Sequence, residues 1–197
     1  MHASALDDAL TRLRTRVGEG FVLSTCHRTE VYAVVGHAES GARLLSDFLA
    51  ECGGMDAAEL APHVLVRAHD DAVAHLFGVA SGIHSMVTGE DQILAQLKAA
   101  LARARLMRTL GPTLHRLGAA ALAVGKRVRT DTAINRHALS VVSVALDDSV
   151  ACLKSLAGRR VVVIGAGHTA ELVLKHLSHL RGGGRARCIV VNRGITR

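Results

Sequence analysis

The chemistry of this chain gathers in Thr25-Cys26-His27-Arg28-Thr29-Glu30, where a thiol, an imidazole, a guanidinium and a carboxylate crowd one short stretch. A thiolate attacks a carbonyl carbon well, and a neighbouring cation such as Arg28 or a protonated histidine favours that form. A lone cysteine is more often a buried structural residue. Here the neighbours Thr25, His27, Arg28 and Glu30 are too polar for a core. The remaining cysteines, Cys52, Cys152 and Cys188, show no metal-type spacing. The expectation is reduced thiols and no metal. His75 is the sole polar side chain between Ala72 and Ala80. A histidine in that setting is either a satisfied core residue or a proton carrier. A third stretch, Gly165-Ala166-Gly167-His168-Thr169-Ala170, has the spacing with which a glycine turn lets a pyrophosphate approach the backbone.

The elements that must position these residues follow from periodicity. Phe21 to Leu23 and Val31 to Val35 read as two strands flanking the thiol. Leu6, Leu10 and Leu13 predict a helix over residues 5–16, and a second spans 39–51, stopped by Gly53-Gly54. Residues 64–67 look like a short strand. Asp70 and Asp71 are placed to cap a helix through Ala80, with Val73, Leu76, Phe77 and Ala80 on one face and His75 on the other. A polar turn from Ser81 to Gly89 follows, and Glu90-Asp91-Gln92 opens a long helix with Ile93, Leu94, Leu97, Leu101 and Ala104 inward. Gly111-Pro112 ends it and begins another, with Leu114, Leu117, Ala121, Val124 and Val128 inward. The apolar run after Ala138 reads as a connecting helix. Val161 to Ile164, the glycine turn, a helix with Leu172, Val173, Leu177 and Leu180, a turn at Arg181 to Gly184 and Cys188 to Asn192 then make a β–turn–α–β unit. In that context the glycine spacing is a dinucleotide signature. Asn192-Arg193 at the end of the second strand, in place of an acid, suits the 2′-phosphate of NADP.

At 197 residues with 49% hydrophobic content, the chain can bury a core, built of aliphatic and alanine side chains since aromatics are 2%. No apolar run nears the roughly 20 residues of a membrane span, and the N-terminus has no signal-peptide pattern. A cytoplasmic protein is expected. The net charge of +7 is uneven: nine basic residues and one acid lie between Lys98 and Arg136. Such a block suits a polyanionic partner or is a solvated helical face.

A thiol-bearing turn, a basic helical block and an NADP-type unit, in that order, resemble the glutamyl-tRNA reductase family. The likeness is carried by Leu23 to Tyr32, by His75-Leu76 with Gly82 to Gln96, by Lys126 to Thr132 and by Gly165-Ala166-Gly167. Departures are His27 for the family's usual asparagine, His84 for aspartate and Asp91 for proline. The resemblance implies that Cys26 forms a glutamyl thioester from glutamyl-tRNA, with His75 assisting proton transfer or polarising the carbonyl. It implies reduction by NADPH to glutamate-1-semialdehyde, the first step toward 5-aminolevulinate and porphyrins. Thr25, His27, Arg28, Ser85, Glu90, Asp91, Gln92 and Gln96 match the family's substrate-binding positions. Gly165 to Ala170, with Asn192 and Arg193, match its cofactor turn. The implied fold is an α+β domain over 1–132, lacking the family's first strand, a connecting helix over 133–157 and a truncated Rossmann-type NADP-binding domain over 158–197. The family is homodimeric through a helical domain absent here, and the downstream aminomutase is a further expected partner. Two other readings stand beside it: a thioesterase-like hydrolase without cofactor, and a non-catalytic module that holds tRNA or haem.

Overall fold

The computed structural model describes residues 3–90, 92–134, 141–156, 158–179 and 187–194. Asp91, Arg136 of the basic block and the turn at Arg181 to Gly184 lie outside them. The chain divides into two compact units, Met1–Arg136 and His137–Arg197.

The first unit is built on an antiparallel hairpin, β1 (Glu19–Ser24) and β2 (Thr29–Val34), in the register Phe21↔Tyr32 and Ser24↔Thr29. Side chains alternate across a strand, so each face of the hairpin needs its own cover. Phe21, Leu23 and Tyr32 face a core shared with α4 (His69–Ser81), α5 (Gln92–Leu106) and α6 (Pro112–Asp131), through Leu76, Val79, Ile93, Leu97, Leu114 and Ala121 among others. The Phe21 and Tyr32 rings stack at 4.6 Å. Val22, on the other face, packs with Leu10 and Leu13 of α1 (Ala3–Arg16) and Phe48 of α2 (Ala38–Gly53). The hairpin thus lies between two helical layers, and the Cys26 turn is its tip. β1 also anchors α6: the Glu19 carboxylate accepts the N–H groups of Thr113 (3.3 Å) and Leu114 (2.9 Å), two donors that a helix start leaves orphaned.

Two local expectations change. Residues 64–67 follow the short α3 (Ala57–Leu60) and a 3-10 turn, and they form no strand. Leu65 is 83% exposed and Val66 51%. Their β-type residues find no pairing neighbour among the described residues, and a strand exists only through a ladder. Asp70 and Asp71 do not cap α4. The cap position is Ala68, which offers no side-chain bond, and both acids sit inside the first turn, where the helix dipole favours them.

In the second unit α7 (Val141–Leu153) packs on α8 (His168–His179). β3 (Arg160–Ile164) and β4 (Arg187–Val191) pair in parallel, in the register Arg160↔Arg187 through Ile164↔Val191. This is the expected β–turn–α–β start of a Rossmann-type sheet. Parallel strands are normally covered on both faces. Here Val162, Ile189, Val190 and Val191 stay exposed, and Ile164 is 87% exposed.

Candidate active site

The hairpin tip is shaped by Thr25. Its N–H donates to the Arg28 carbonyl (2.9 Å), and its hydroxyl accepts the N–H groups of His27 (3.3 Å) and Arg28 (3.2 Å). A threonine hydroxyl that replaces backbone partners in this way makes a rigid turn. Cys26 and His27 occupy its crest and are exposed. Cys26 is a free thiol. Thr25, expected at the substrate, holds the turn with its hydroxyl.

Beyond the turn, the period of two along β2 sets Arg28, Glu30 and Tyr32 on one side. Glu30 is the hub. Its Oε1 accepts from Arg28 Nε (2.5 Å) and lies 3.3 Å from His75 Nε2, while its Oε2 accepts from the Tyr32 hydroxyl (2.6 Å). Burial, and then the Glu30 charge, push the Tyr32 phenol far above its ordinary range, so it acts as a neutral donor. Arg28 Nη1 donates to the His84 carbonyl (2.6 Å), and Arg28 Nη2 is buried with no partner among the described residues. Two edges of the guanidinium are therefore engaged. The His75 and His84 rings stack at 5.1 Å with 17° between planes. Burial first, then His75 and Arg28, hold the His84 imidazole below its ordinary range. A hollow of about 360 Å³ opens beside the pair, lined by Arg67, Asp71, Ala74, His75 and His84. A second hollow, at His37 to Arg43, touches none of these residues.

His84 and Ser85 sit on the loop between α4 and α5. Gly82 and Gly89 both adopt positive φ (80° and 85°), and the Gly89 N–H closes the loop on the Gly82 carbonyl (3.1 Å). Glu90 is half-buried, and its carbonyl receives Arg129 Nη2 (2.9 Å). Gln92 is exposed at the start of α5, and Gln96, half-buried, lies one turn on. Among the described residues no hydrogen bond joins Ser85, Gln92, Gln96 or the Glu90 side chain to the Cys26 turn. In the sequence Glu30 stood out only as part of the polar stretch around Cys26, and neither it nor Tyr32 received a role. The period of two from Arg28 was the signal for them, with Tyr32 the chain's sole tyrosine.

The basic block divides by role. Arg103 forms a two-pronged ion pair with Asp7, and Arg129 donates to the carbonyls of Ala80, Gly125 and Glu90, so both are structural. Lys98, Arg105, Arg108, Arg116, Lys126 and Arg127 are exposed, the last paired with Asp131 at 3.0 Å.

In the second unit Gly165 has φ 110°, open to glycine alone, and its N–H donates to the Val191 carbonyl (2.7 Å). A Cβ on Gly165 or Gly167 would meet nothing within 4 Å, so bare backbone faces open space. The Gly167 carbonyl accepts the N–H groups of Ala170 and Glu171 at the start of α8, and Ala170 is buried. Ala166 completes the turn, with His168 and Thr169 as the first residues of α8. Asn192 Nδ2 donates to the Gly194 carbonyl (3.0 Å), and Arg193 beside it is exposed. A turn of this form fits a pyrophosphate at a helix start.

Comparison with known proteins adds the following. Residues 1–132 match the family described as glutamyl-tRNAGlu reductase, N-terminal domain, and residues 149–197 match shikimate / quinate 5-dehydrogenase. The glutamyl-tRNA reductase of Roseiflexus sp. is 48% identical over 188 residues, 95% of this chain and 44% of that protein. The one from Herpetosiphon aurantiacus is 52% identical over 171 residues, 87% of this chain and 41% of that protein. The solved glutamyl-tRNA reductase from Methanopyrus kandleri superposes with a TM-score of 0.62 at 35% identity, over 95% of this chain and 44% of that one. The chain spans less than half the length of these relatives. With one family covering its first 132 residues, and relatives of about half identity along most of its length, the chain belongs to the glutamyl-tRNA reductase family.

Proposed function

We propose that the first unit carries out the acyl-transfer half of glutamyl-tRNA reduction, with Cys26 as nucleophile and His75 as proton carrier. The observation that supports it best is the shared Glu30 carboxylate, which ties Arg28, two residues after the exposed Cys26, to His75 on a different element. The substrate is glutamate esterified to the 3′ end of its tRNA. The Cys26 thiolate attacks the ester carbonyl; a C–S bond forms and the C–O bond to the ribose breaks. The departing ribose oxygen takes a proton, which His75 supplies, and the product is a glutamyl thioester. Glu30 orients the His75 ring, as a carboxylate partner does for a catalytic imidazole. Arg28 is the cation that would clamp the side-chain carboxylate of the substrate. His27, Ser85, Glu90, Asp91, Gln92 and Gln96 border the same substrate, by their family positions. The exposed cations of α5 and α6 take the tRNA backbone.

The second unit fits the start of an NADP site. Gly165 to Ala170 would hold the pyrophosphate and Asn192 with Arg193 the 2′-phosphate. NADPH, when bound, supplies the hydride that converts a thioester to an aldehyde. The resulting glutamate-1-semialdehyde feeds an aminomutase in the cytoplasm, and the whole protein works as a homodimer.

The cysteines test the nucleophile. Burial pushes the Cys52 thiol up, away from reactivity. Cys26→Ser is expected to abolish covalent capture of labelled glutamate from glutamyl-tRNA. Cys52→Ala, Cys152→Ala and Cys188→Ala should each leave it intact. Capture by the Cys26→Ser protein would end the assignment.

A further inference from the structure

His84 belongs to no helix or strand and is exposed, yet its ring lies against α4. A Cβ placed on Gly78 would lie 2.4 Å from His84 Nε2 and 2.7 Å from its Cδ2, so the imidazole rests on the bare backbone of α4. Gly78 is three residues beyond His75, and helical neighbours at that spacing share a face. On that face the His84 ring stacks against His75 at 5.1 Å. Its own carbonyl is held from the far side by Arg28 Nη1 at 2.6 Å. Among the described residues no third His, Cys, Asp or Glu joins the pair in a metal-binding group.

We propose that His84 is a positioning residue for His75: seated on Gly78 and stacked on the His75 ring, it holds that imidazole with Nε2 toward Glu30. The proposal rests on the reading that His75 carries the proton in acyl transfer. A ring on a half-buried helix face has free rotamers to lose, and a stacked neighbour removes them without contributing a charge. The groups facing His84 are His75 and Asp71 from α4, Arg28 and Glu30 from the hairpin, and Arg67 from the segment before α4. Burial, His75 and Arg28 all disfavour a proton on His84. It therefore stacks as a neutral ring near neutral pH. Acid that protonates it sets it against Arg28 and Arg67, and the stack opens.

The test combines single-turnover acylation by glutamyl-tRNA across pH 5 to 8 with NMR of the histidine Hε1 protons in the free chain. His84→Ala should slow acylation by up to about 10²-fold, the loss that misplacing a reacting group produces. His84→Phe, which keeps a flat ring but cannot titrate, should recover most of the rate and move the acid-side fall to lower pH. Gly78→Ala alters none of the site's own side chains chemically and gives α4 a better helix former. It should nevertheless lose rate as His84→Ala does, because the new methyl displaces the ring. The His75 Hε1 resonance should shift in both His84→Ala and Gly78→Ala. Wild-type rates and pH profiles in these two variants would overturn the proposal. So would loss in His84→Ala without recovery in His84→Phe, which would make His84 a proton carrier itself. If the wild-type chain is not acylated at all, the acyl-transfer reading fails, and the NMR arm still decides the pair. A His75 resonance unmoved by either variant overturns the stacking role.

Discussion

Glu30 organises the site at the scale of single residues, because one carboxylate answers Arg28, His75 and Tyr32 together. The neighbouring His84 gives this cluster a measurable pH signature. Its folded pKa is lowered, by burial first and then by His75 and Arg28. An unfolded histidine takes a proton near pH 6.5. The folded chain therefore binds fewer protons than the unfolded chain as pH falls below that value, so acid favours unfolding. This share of stability is fully present above about pH 6.5 and is lost as pH falls through the lower folded value. Thermal unfolding followed from pH 7.5 to 5 should show a shallower acid-side loss in His84→Phe than in the wild type, and equal slopes would contradict the assignment. Cys26 and His75 stood out in the sequence because each departs from its surroundings, a thiol among polar residues and an imidazole among apolar ones. Glu30 had no such contrast. Its partner His75 is 45 residues away, and no spacing rule links positions that only the fold brings together.

Helices α4, α5 and α6 were legible from their 3.6-residue periodicity, and their inward leucines are indeed core. What periodicity hid is how closely they cross. A Cβ on Gly125 of α6 would lie 2.5 Å from the Ala80 carbonyl oxygen, and one on Gly118 would lie 2.7 Å from Leu101 Cδ1. These glycines, neutral to the eye in a sequence, set the depth to which the helices pack. Gly125→Ala gains about 1 kcal/mol of helix propensity but forces backbone apart, an overpacking that costs about 1–3 kcal/mol. A net loss of stability is expected in urea or thermal unfolding. Gly78→Ala should show none, since its obstacle is a ring that can swing away. A Gly125→Ala chain as stable as the wild type would mean that α4 and α6 separate freely. The misread strand at 64–67 has the opposite cause. Local composition favours β structure there, and pairing, which decides it, is not a local property.

Across the whole molecule, the basic block reads either as a site for a polyanion or as a solvated helical face, and the fold sorts its members. Arg103 and Arg129 are bound to protein groups, while Lys98, Arg105, Arg108, Arg116 and Lys126 face solvent. Replacing Arg105, Arg116 and Lys126 by glutamine should weaken tRNA binding and flatten its salt dependence, by roughly 0.7–0.9 in log–log slope for each phosphate no longer neutralised. Arg129→Ala should instead lower thermal stability, because it releases three carbonyls. The central claim concerns one bond, between Cys26 Sγ and the glutamyl carbonyl. The direct measurement is peptide mapping by mass spectrometry of the wild-type chain after a single exposure to glutamyl-tRNA without NADPH. The account predicts one glutamyl group per chain, on the peptide that contains Cys26, removed by hydroxylamine as a thioester is. A glutamyl group on the peptides of Cys52, Cys152 or Cys188, or a folded chain that releases no tRNA and carries no adduct, would contradict it.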